Sequence, residues 1–350
     1  MPAAPALRRY APWLLFLAAA YLPVFLHLNS PPVRTWDESL FAMRAYYTAE
    51  TGAYLPNFEH FPGISYYRNL KPPFGTWLQA ASFRLFGVSE LTLRLPVSAF
   101  VLATLLLQFF WLKKLTGRRW PGWAAGLILL TSAGYLTPHV ARTGDHDAIL
   151  AFILLLQLWA GYRLLRAAPP LPRGPLWLLA ATLLAGFLTK SVVAFFFLPG
   201  LLVFALYKRN LGPLLRQPPL YLAAAAVLAG IAGYYLWMET RYPGFLAAVR
   251  ETVLGRYVAE RNQMGQPFWY YFRELAAVRF LPWIVLLPLN YLLRRRLTPA
   301  RRDLSVLLWS AVLGYLLIIS FSETKLAWYD ASVYPPLALL AGLALYQFDR

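Results

Sequence analysis

The sequence predicts an all-α protein that crosses a membrane about ten times. Of its 350 residues, 59% are hydrophobic and only 14% are charged, whereas about a quarter of the residues of a soluble protein are charged. Apolar stretches recur along the whole chain, each long enough to cross a hydrocarbon core of about 30 Å. The chain has no cysteine, which excludes disulfides, thiol nucleophiles, Fe–S clusters and thiolate zinc sites.

The apolar stretches define ten predicted spans and one transmembrane domain over residues 1–350. The first stretch is too long for a removed signal peptide and lacks the small-residue cleavage pattern. The chain ends at Arg350 soon after the last span, so we expect no separate soluble C-terminal domain. The predicted spans are 10–29, 93–112, 121–138, 148–165, 175–189, 191–207, 219–238, 270–293, 304–320 and 331–347.

The charged residues assign a side to each connection between spans. If the spans alternate in direction, every basic cluster falls on one side, which holds only two acids, Asp303 and Asp349. The positive-inside rule assigns that side to the cytoplasm, so both termini are expected there. The basic clusters are Arg8-Arg9, Lys113-Lys114 with Arg118-Arg119, Arg163 with Arg166 and Arg173, Lys208-Arg209 with Arg216, and Arg294-Arg295-Arg296 with Arg301-Arg302.

The net charge of +18 is therefore explained by topology and by anionic headgroups, and we expect no nucleic-acid partner. Two long connections, 30–92 and 239–269, fall on the opposite, outer side. Within them, segments 37–50 and 245–261 mix apolar and polar residues in the way typical of helices that lie in the membrane interface.

Charged and polar side chains that do not fit a plain membrane anchor gather at the outer ends of the spans. Acids beside hydrocarbon are costly and usually have a function. Basic side chains at this level can hold the phosphate of a lipid, and a nearby carboxylate can take a proton from an acceptor hydroxyl. The pattern predicts transfer of a group from a lipid phosphate to an external nucleophile. These residues are Asp37, Glu38, Lys71, Arg142, Asp145, His146, Asp147, Lys190, Glu323, Lys325 and Asp330.

Simpler roles remain open for several of these residues. Asp145 and Asp147 are placed to stabilise the start of a helix by its dipole, and Lys190 and Lys325 are placed to anchor span ends at the interface. His139, Asp145 and His146 are competent ligands for a divalent metal ion, but their spacing matches no defined site. We therefore expect no required cofactor, and a metal ion at this cluster is left open.

Five motifs, in order along the chain, resemble those of the lipid-linked-sugar glycosyltransferases of the GT-C class. More narrowly, the chain resembles the bacterial branch related to protein O-mannosyltransferases and to the aminoarabinose transferase of lipid A. The motifs are Trp36-Asp37-Glu38 with Phe41-Ala42, Lys71-Pro72-Pro73-Phe74, Arg142-Thr143-Gly144-Asp145-His146-Asp147, Leu188-Thr189-Lys190, and Thr324-Lys325-Leu326 with Trp328-Tyr329.

The resemblance implies an outer cavity in which Asp37 is the general base, with Glu38 as a weaker partner that orients a basic side chain or holds the loop. It implies a substrate and donor-phosphate region formed by Lys71, Arg142, Asp145, Asp147, Lys190, Lys325 and Tyr329. The chain departs from the aminoarabinose transferases at Leu70, where a Glu that can contribute to a metal site tends to precede Lys-Pro-Pro. That departure weakens both a lipid A acceptor and metal dependence.

These observations predict a multi-pass glycosyltransferase of the bacterial inner membrane with its active site on the periplasmic face. Its donor is a sugar on an undecaprenyl-phosphate-like lipid, and its acceptor is a lipid, a glycan or a protein. A single displacement at the anomeric carbon predicts inversion. The alternatives are a transporter or flippase for a lipid-linked sugar, and a non-catalytic membrane scaffold.

Overall fold

The computed structural model describes residues 18–348, except 19, 21, 56–57, 62–63, 69, 168–169 and 260–263. Half of the predicted first span, 10–29, lies outside the described residues. Helix α1 covers Asp37–Thr51, and a two-stranded antiparallel hairpin follows, with β1 at Phe58–Phe61 and β2 at Ile64–Arg68. Helices α2 and α3 cover Phe74–Phe86 and Glu90–Thr116.

The rest of the described chain is mainly helical, with short 3-10 and π segments and with a loop over 131–146 before the helix that starts at Asp147. The bounds are α4 Trp120–Leu130, α5 Asp147–Arg166, α6 Arg173–Lys190, α7 Leu198–Tyr207, α8 Leu211–Leu215, α9 Pro218–Arg241, α10 Phe245–Val258, α11 Tyr270–Glu274, α12 Leu286–Leu293, α13 Pro299–Ser320 and α14 Tyr334–Phe348. A π-helical turn covers Leu275–Arg279, and 3-10 helices cover Ser191–Phe195, Trp283–Val285, Arg294–Arg296 and Ala327–Val333.

Six helical stretches of the described chain are long and apolar enough to cross a membrane, which confirms a multi-pass protein. The predicted spans 121–138 and 191–207 contain shorter helices, and the predicted span 270–293 is a helix pair bent by 112° that counts as a seventh crossing if it forms one span. The total of ten stays a prediction. The six stretches are Glu90–Thr116, Asp147–Arg166, Arg173–Phe195, Pro218–Arg241, Pro299–Ser320 and Ala327–Phe348.

The helices differ in how much of their surface is buried by protein. Helix α14 is buried on almost every side and packs against α3, α4, α12 and α13, as expected for a helix that is apolar all round. Helix α9 is mostly exposed, with Leu222, Leu228 and Trp237 among its exposed apolar side chains. Helix α9 is about as apolar as α14, but little of its surface is covered by other helices. It therefore lies at the edge of the bundle, where lipid would contact it in place of protein.

Local features of the sequence determine where several helices near the site begin and how closely they approach one another. The predicted interfacial helices at 37–50 and 245–261 are confirmed as helices α1 and α10. Helix α3 begins at a capping box formed by Ser89 and Thr92, which satisfies the first backbone N–H groups. Gly75 allows α2 to approach His146 closely, since a Cβ there would lie 2.5 Å from the imidazole ring.

Candidate functional site

A cavity of about 240 Å³ is lined by residues of α1, α5, α6, α10 and α13 together with the segments 70–72, 191–196 and 322–329. Five of the predicted site residues line it, and they come from five separate parts of the sequence. Most of the remaining lining is apolar or aromatic, which is typical of a ligand pocket with a few polar groups that fix orientation. The five residues are Asp37, Lys71, Asp147, Lys190 and Tyr329.

Asp37 and Lys71 form an ion pair at the cavity wall. The Lys71 Nζ lies 2.7 Å from Asp37 Oδ1 and 4.4 Å from the centre of the Phe41 ring. Burial raises the pKa of Asp37, but the Lys71 ammonium, together with Lys190 and His139, lowers it by more, so the pKa lies below its ordinary value. Burial holds the pKa of Lys71 below its usual range, although Asp37 opposes that shift. Asp37 is therefore a carboxylate at neutral pH.

Asp147 and Lys190 form a second ion pair in the same cavity. The Lys190 Nζ lies 2.6 Å from both carboxylate oxygens of Asp147. Asp147 is the first residue of α5 and Lys190 is the last residue of α6, so each charge lies at the helix end that its sign favours. The two helices pack along their length, and this packing joins charges that are 43 residues apart in sequence.

Three residues beside these charges adopt a left-handed backbone that residues other than glycine rarely adopt. They are Trp36 with φ of +88°, His139 with φ of +73° and Ser191 with φ of +51°. Trp36 directly precedes Asp37, and Ser191 directly follows Lys190. Such conformations cost about 1–3 kcal/mol each and are typical of functional sites, where the surrounding structure maintains them.

Glu38 faces away from the cavity and is fully buried. Successive residues of a helix point about 100° apart, so Asp37 and Glu38 face different neighbours. Arg94 donates to both carboxylate oxygens of Glu38, at 2.7 Å and 3.1 Å. The backbone N–H groups of Arg34 and Gly144 donate to the same carboxylate at 2.8 Å and 2.7 Å. Glu38 thus ties the start of α1 to α3 and to the segment before α5.

Two predicted phosphate ligands do not line the cavity. Arg142 donates to the carbonyl oxygens of Pro23 at 3.0 Å and Leu26 at 2.6 Å. The Lys325 ammonium donates to the carbonyl oxygen of Ser322, and burial holds the pKa of Lys325 below its usual range. Ser322 itself lines the cavity, so Lys325 is placed to shape the wall rather than to contact a ligand.

The cluster that could hold a metal ion differs in one member from the sequence-based set. His139 Nδ1 lies 3.2 Å from Asp145 Oδ1, and ligand atoms of Asp37, His139 and Asp145 lie within 4.8 Å of one another. His146 is instead buried, with its Nε2 3.1 Å from Gln79 Oε1 and its ring stacked on Phe41. Two carboxylates and one imidazole suit a divalent ion such as Mn²⁺ or Zn²⁺.

Aromatic side chains that sequence reasoning did not assign to the site complete the cavity wall. Tyr315 and Phe196 lie in or beside predicted spans, where an aromatic residue gives no functional signal, and Tyr257 comes from the second long connection. The Tyr315 hydroxyl donates to the carbonyl oxygen of Tyr329 at 3.0 Å. Trp328 stacks on His139 at 3.9 Å and covers the candidate metal cluster.

The multi-pass helical fold is of the GT-C type, as comparison with known proteins shows. The family model described as dolichyl-phosphate-mannose-protein mannosyltransferase matches residues 70–237. In fold, the chain resembles ArnT from Cupriavidus metallidurans bound to undecaprenyl phosphate, with a TM-score of 0.80, 24% identity, and coverage of 96% of this chain and 60% of that one. It also resembles the archaeal oligosaccharyltransferase AglB from Archaeoglobus fulgidus, with a TM-score of 0.58, 14% identity, and coverage of 96% and 50%.

Relatives in sequence agree with the structural neighbours. The undecaprenyl phosphate-alpha-4-amino-4-deoxy-L-arabinose arabinosyl transferase of Aeromonas salmonicida is 29% identical over 354 residues, covering 95% of this chain and 59% of that protein. The protein of the same name from Pseudomonas aeruginosa is 30% identical over 297 residues, covering 82% and 51%. The chain thus spans about three fifths or less of the length of these relatives. These matches make the chain similar to the protein mannosyltransferases and to ArnT, and they give it a fold of the GT-C type.

Proposed function

We propose that this protein transfers a sugar from a polyprenyl phosphate of the undecaprenyl type to an acceptor hydroxyl or amine outside the cytoplasm. The observation that carries the proposal is the shared cavity, in which the Asp37 carboxylate lies with the ammonium groups of Lys71 and Lys190. A base for the acceptor and cations for the leaving phosphate are the two requirements of this reaction. The similarity to mannosyltransferases and to ArnT supports the same chemistry.

In the proposed step, Asp37 accepts the proton of the acceptor while the acceptor atom attacks the anomeric carbon. The bond between that carbon and the phosphate oxygen breaks, and its electron pair leaves with the lipid phosphate. Lys190 uses two of its three N–H donors on Asp147, so one donor remains for a phosphate oxygen. A single displacement of this kind inverts the anomeric carbon.

The aromatic lining and the candidate metal ligands have supporting roles in this scheme. Tyr315, Trp328 and Tyr329 line the cavity and limit the access of water to the reacting carbon, which protects the donor from hydrolysis. Asp37, His139 and Asp145 are the residues that would hold a divalent ion. When bound, such an ion would supply a positive charge that stabilises the negative charge developing on the leaving phosphate.

The experiment that tests this function supplies the purified chain with a radiolabelled sugar on undecaprenyl phosphate and with lipid, glycan and protein fractions of a bacterial envelope. We expect release of free undecaprenyl phosphate together with a labelled acceptor. Movement of the intact donor across a vesicle membrane would instead indicate a transporter. A chain that neither cleaves nor moves the donor would contradict the proposal and favour a scaffold.

Lys190 and Lys325 should differ in how much each contributes to binding of the donor. Replacing Lys190 with Ala and Asp147 with Asn together removes the ion pair without leaving an unpaired charge. We expect this double variant to raise KM for the donor at least about tenfold, because a charge-assisted hydrogen bond to phosphate is lost. Steady-state kinetics with varied donor concentration measure the effect.

Lys325→Ala serves as the matched control, since its ammonium bonds to a backbone carbonyl rather than lining the cavity. We expect its donor KM to change by less than that of the double variant. Equal donor KM values in the double variant and the wild type would remove Lys190 from the phosphate region.

A further inference from the structure

A second, smaller cavity of about 90 Å³ lies on the other side of the Asp37-Glu38 pair. It shares no lining residue with the larger cavity. Its walls combine the residues at the end of the first apolar stretch with the start of α3 and the segment 136–143. No acidic side chain lines it within the described part of the chain, and its polar lining consists of His27, Arg34, Arg94, Arg142 and Thr143.

Arg94 forms a wall of this cavity and is not a ligand. Its Nε and one terminal nitrogen donate to Glu38. The other bonds of its terminal nitrogens go to the carbonyl oxygens of Leu28, Pro31 and Pro32, at 2.8 to 3.1 Å. A guanidinium has five N–H donors, and these five bonds use all of them. Because Glu38 also neutralises its charge, Arg94 contributes rigidity but neither a free donor nor a net charge.

Arg34 and Arg142 retain both charge and donors. The Arg34 side chain is exposed and forms no hydrogen bond or ion pair with any residue in the described ranges. Its backbone is nevertheless fixed, since its N–H donates to Glu38. Arg142 makes two hydrogen bonds, to Pro23 and Leu26, which leaves three of its five N–H donors. The cavity therefore carries two positive charges that no lining acid balances.

We propose that this cavity is an anion subsite that binds one phosphate group of a lipid headgroup at the membrane interface. Two uncompensated guanidinium groups match the charge of a phosphate monoester, and their planar N–H pairs suit its oxygens. A volume of about 90 Å³ is sufficient for a phosphate group. The cavity lies at the end of an apolar stretch, which is the level at which lipid phosphates occur.

The subsite lies close to the larger cavity, and a short series of contacts connects the two. Thr143 lines the subsite, and its hydroxyl donates to Asp145 at 2.6 Å. Asp145 belongs to the candidate metal cluster with Asp37. Glu38, which holds Arg94, is adjacent to Asp37 in α1. A phosphate-bearing lipid at the subsite would thus lie beside the reacting groups without contacting the residues proposed to bind the donor phosphate.

The test measures binding and does not depend on transfer activity. Dioctanoyl phosphatidic acid, dioctanoyl phosphatidylcholine and inorganic phosphate are each titrated into the purified full chain in detergent by calorimetry. The variant is Arg34→Gln, which breaks no side-chain contact seen in the described structure. The matched control is Arg241→Gln, because Arg241 is also exposed and has no side-chain partner among the residues described.

We expect phosphatidic acid to bind more tightly than phosphatidylcholine, whose phosphate is a diester covered by choline. Arg34→Gln should weaken the binding of phosphatidic acid about tenfold, as for loss of one charge-assisted hydrogen bond, and Arg241→Gln should leave it unchanged. Equally tight, Arg34-dependent binding of inorganic phosphate would assign the subsite to free phosphate and overturn the lipid assignment. Equal affinities in both variants would overturn the subsite itself.

An additional variant separates this subsite from the proposed active site. Asp37→Asn alters the larger cavity only, so phosphatidic acid should bind to it with the wild-type dependence on Arg34. If sugar transfer is not detected but Arg34-dependent binding is, the subsite stands and the proposed function fails. If transfer is detected without Arg34-dependent binding, the proposed function stands and the subsite fails.

Discussion

Asp37→Asn should lower the rate of sugar transfer by at least about a hundredfold, the minimum expected for loss of a general base. Asn keeps the size of the side chain but cannot accept the acceptor's proton. The low pKa of Asp37, which the neighbouring Lys71 ammonium maintains, means that the wild-type group is ready as a base at neutral pH. Single-turnover transfer from labelled undecaprenyl-phosphate sugar measures the chemical step apart from donor binding.

The control for this prediction is Glu50→Gln, which also removes one carboxylate charge from α1. Glu50 is exposed, lies near the other end of the helix and does not line the cavity. We expect its single-turnover rate to match the wild type. Transfer by Asp37→Asn at the rate of Glu50→Gln, with both proteins folded to the same thermal midpoint, would exclude Asp37 as the base.

Glu38→Ala should destabilise the fold by about 3–5 kcal/mol, the usual effect of removing one member of a buried ion pair. The Arg94 guanidinium would stay buried without its counter-charge, since its side chain is only 1% exposed. The backbone N–H groups of Arg34 and Gly144 would also lose their acceptor. Thermal unfolding in a fixed detergent, followed by loss of monodisperse protein, measures the change.

Glu50→Ala is the matched control on the same helix, and an exposed substitution of this kind usually changes stability by no more than about 0.5 kcal/mol. The contrast between adjacent acids is the informative part of the result. Asp37→Asn should lose activity with little change in thermal midpoint, whereas Glu38→Ala should lose stability first. If Glu38→Ala unfolded at the same temperature as Glu50→Ala, the contact with Arg94 would not hold the loop.

The ordered motifs and the charge pattern predicted four of the charged residues that meet at the cavity, but not which of them pair. Charges at the ends of apolar stretches are confined to the interface, so Asp37, Lys71, Asp147 and Lys190 were expected on one face. The structure joins Asp37 to Lys71 and Asp147 to Lys190. Partner choice depends on how α1, α2, α5 and α6 pack, and residue spacing within each helix carries no information about that.

Tertiary packing also places three predicted site residues in surroundings that the sequence did not predict. Arg142 bonds to the carbonyls at the end of the first apolar stretch, and Lys325 bonds to its own loop. His146 is covered by Phe41 and Gln79, and Asp37 takes its place beside His139 and Asp145. Neighbours in sequence such as Asp145 and His146 point in different directions, so sequence distance alone could not assign the cluster.

The sequence by itself determined that the chain is a multi-pass helical membrane protein of the GT-C type, because hydrophobic length and ordered motifs are properties of the linear chain. It also indicated that Asp37 and Glu38 differ in role. Only the tertiary structure decided the β-hairpin, the bent helix pair, the ion-pair partners and the second, arginine-lined cavity. The ion pairs and the arginine-lined cavity depend on side chains from distant parts of the chain, whose separation is set by helix packing. The hairpin and the bend are local, and the apolar pattern of the sequence does not specify them.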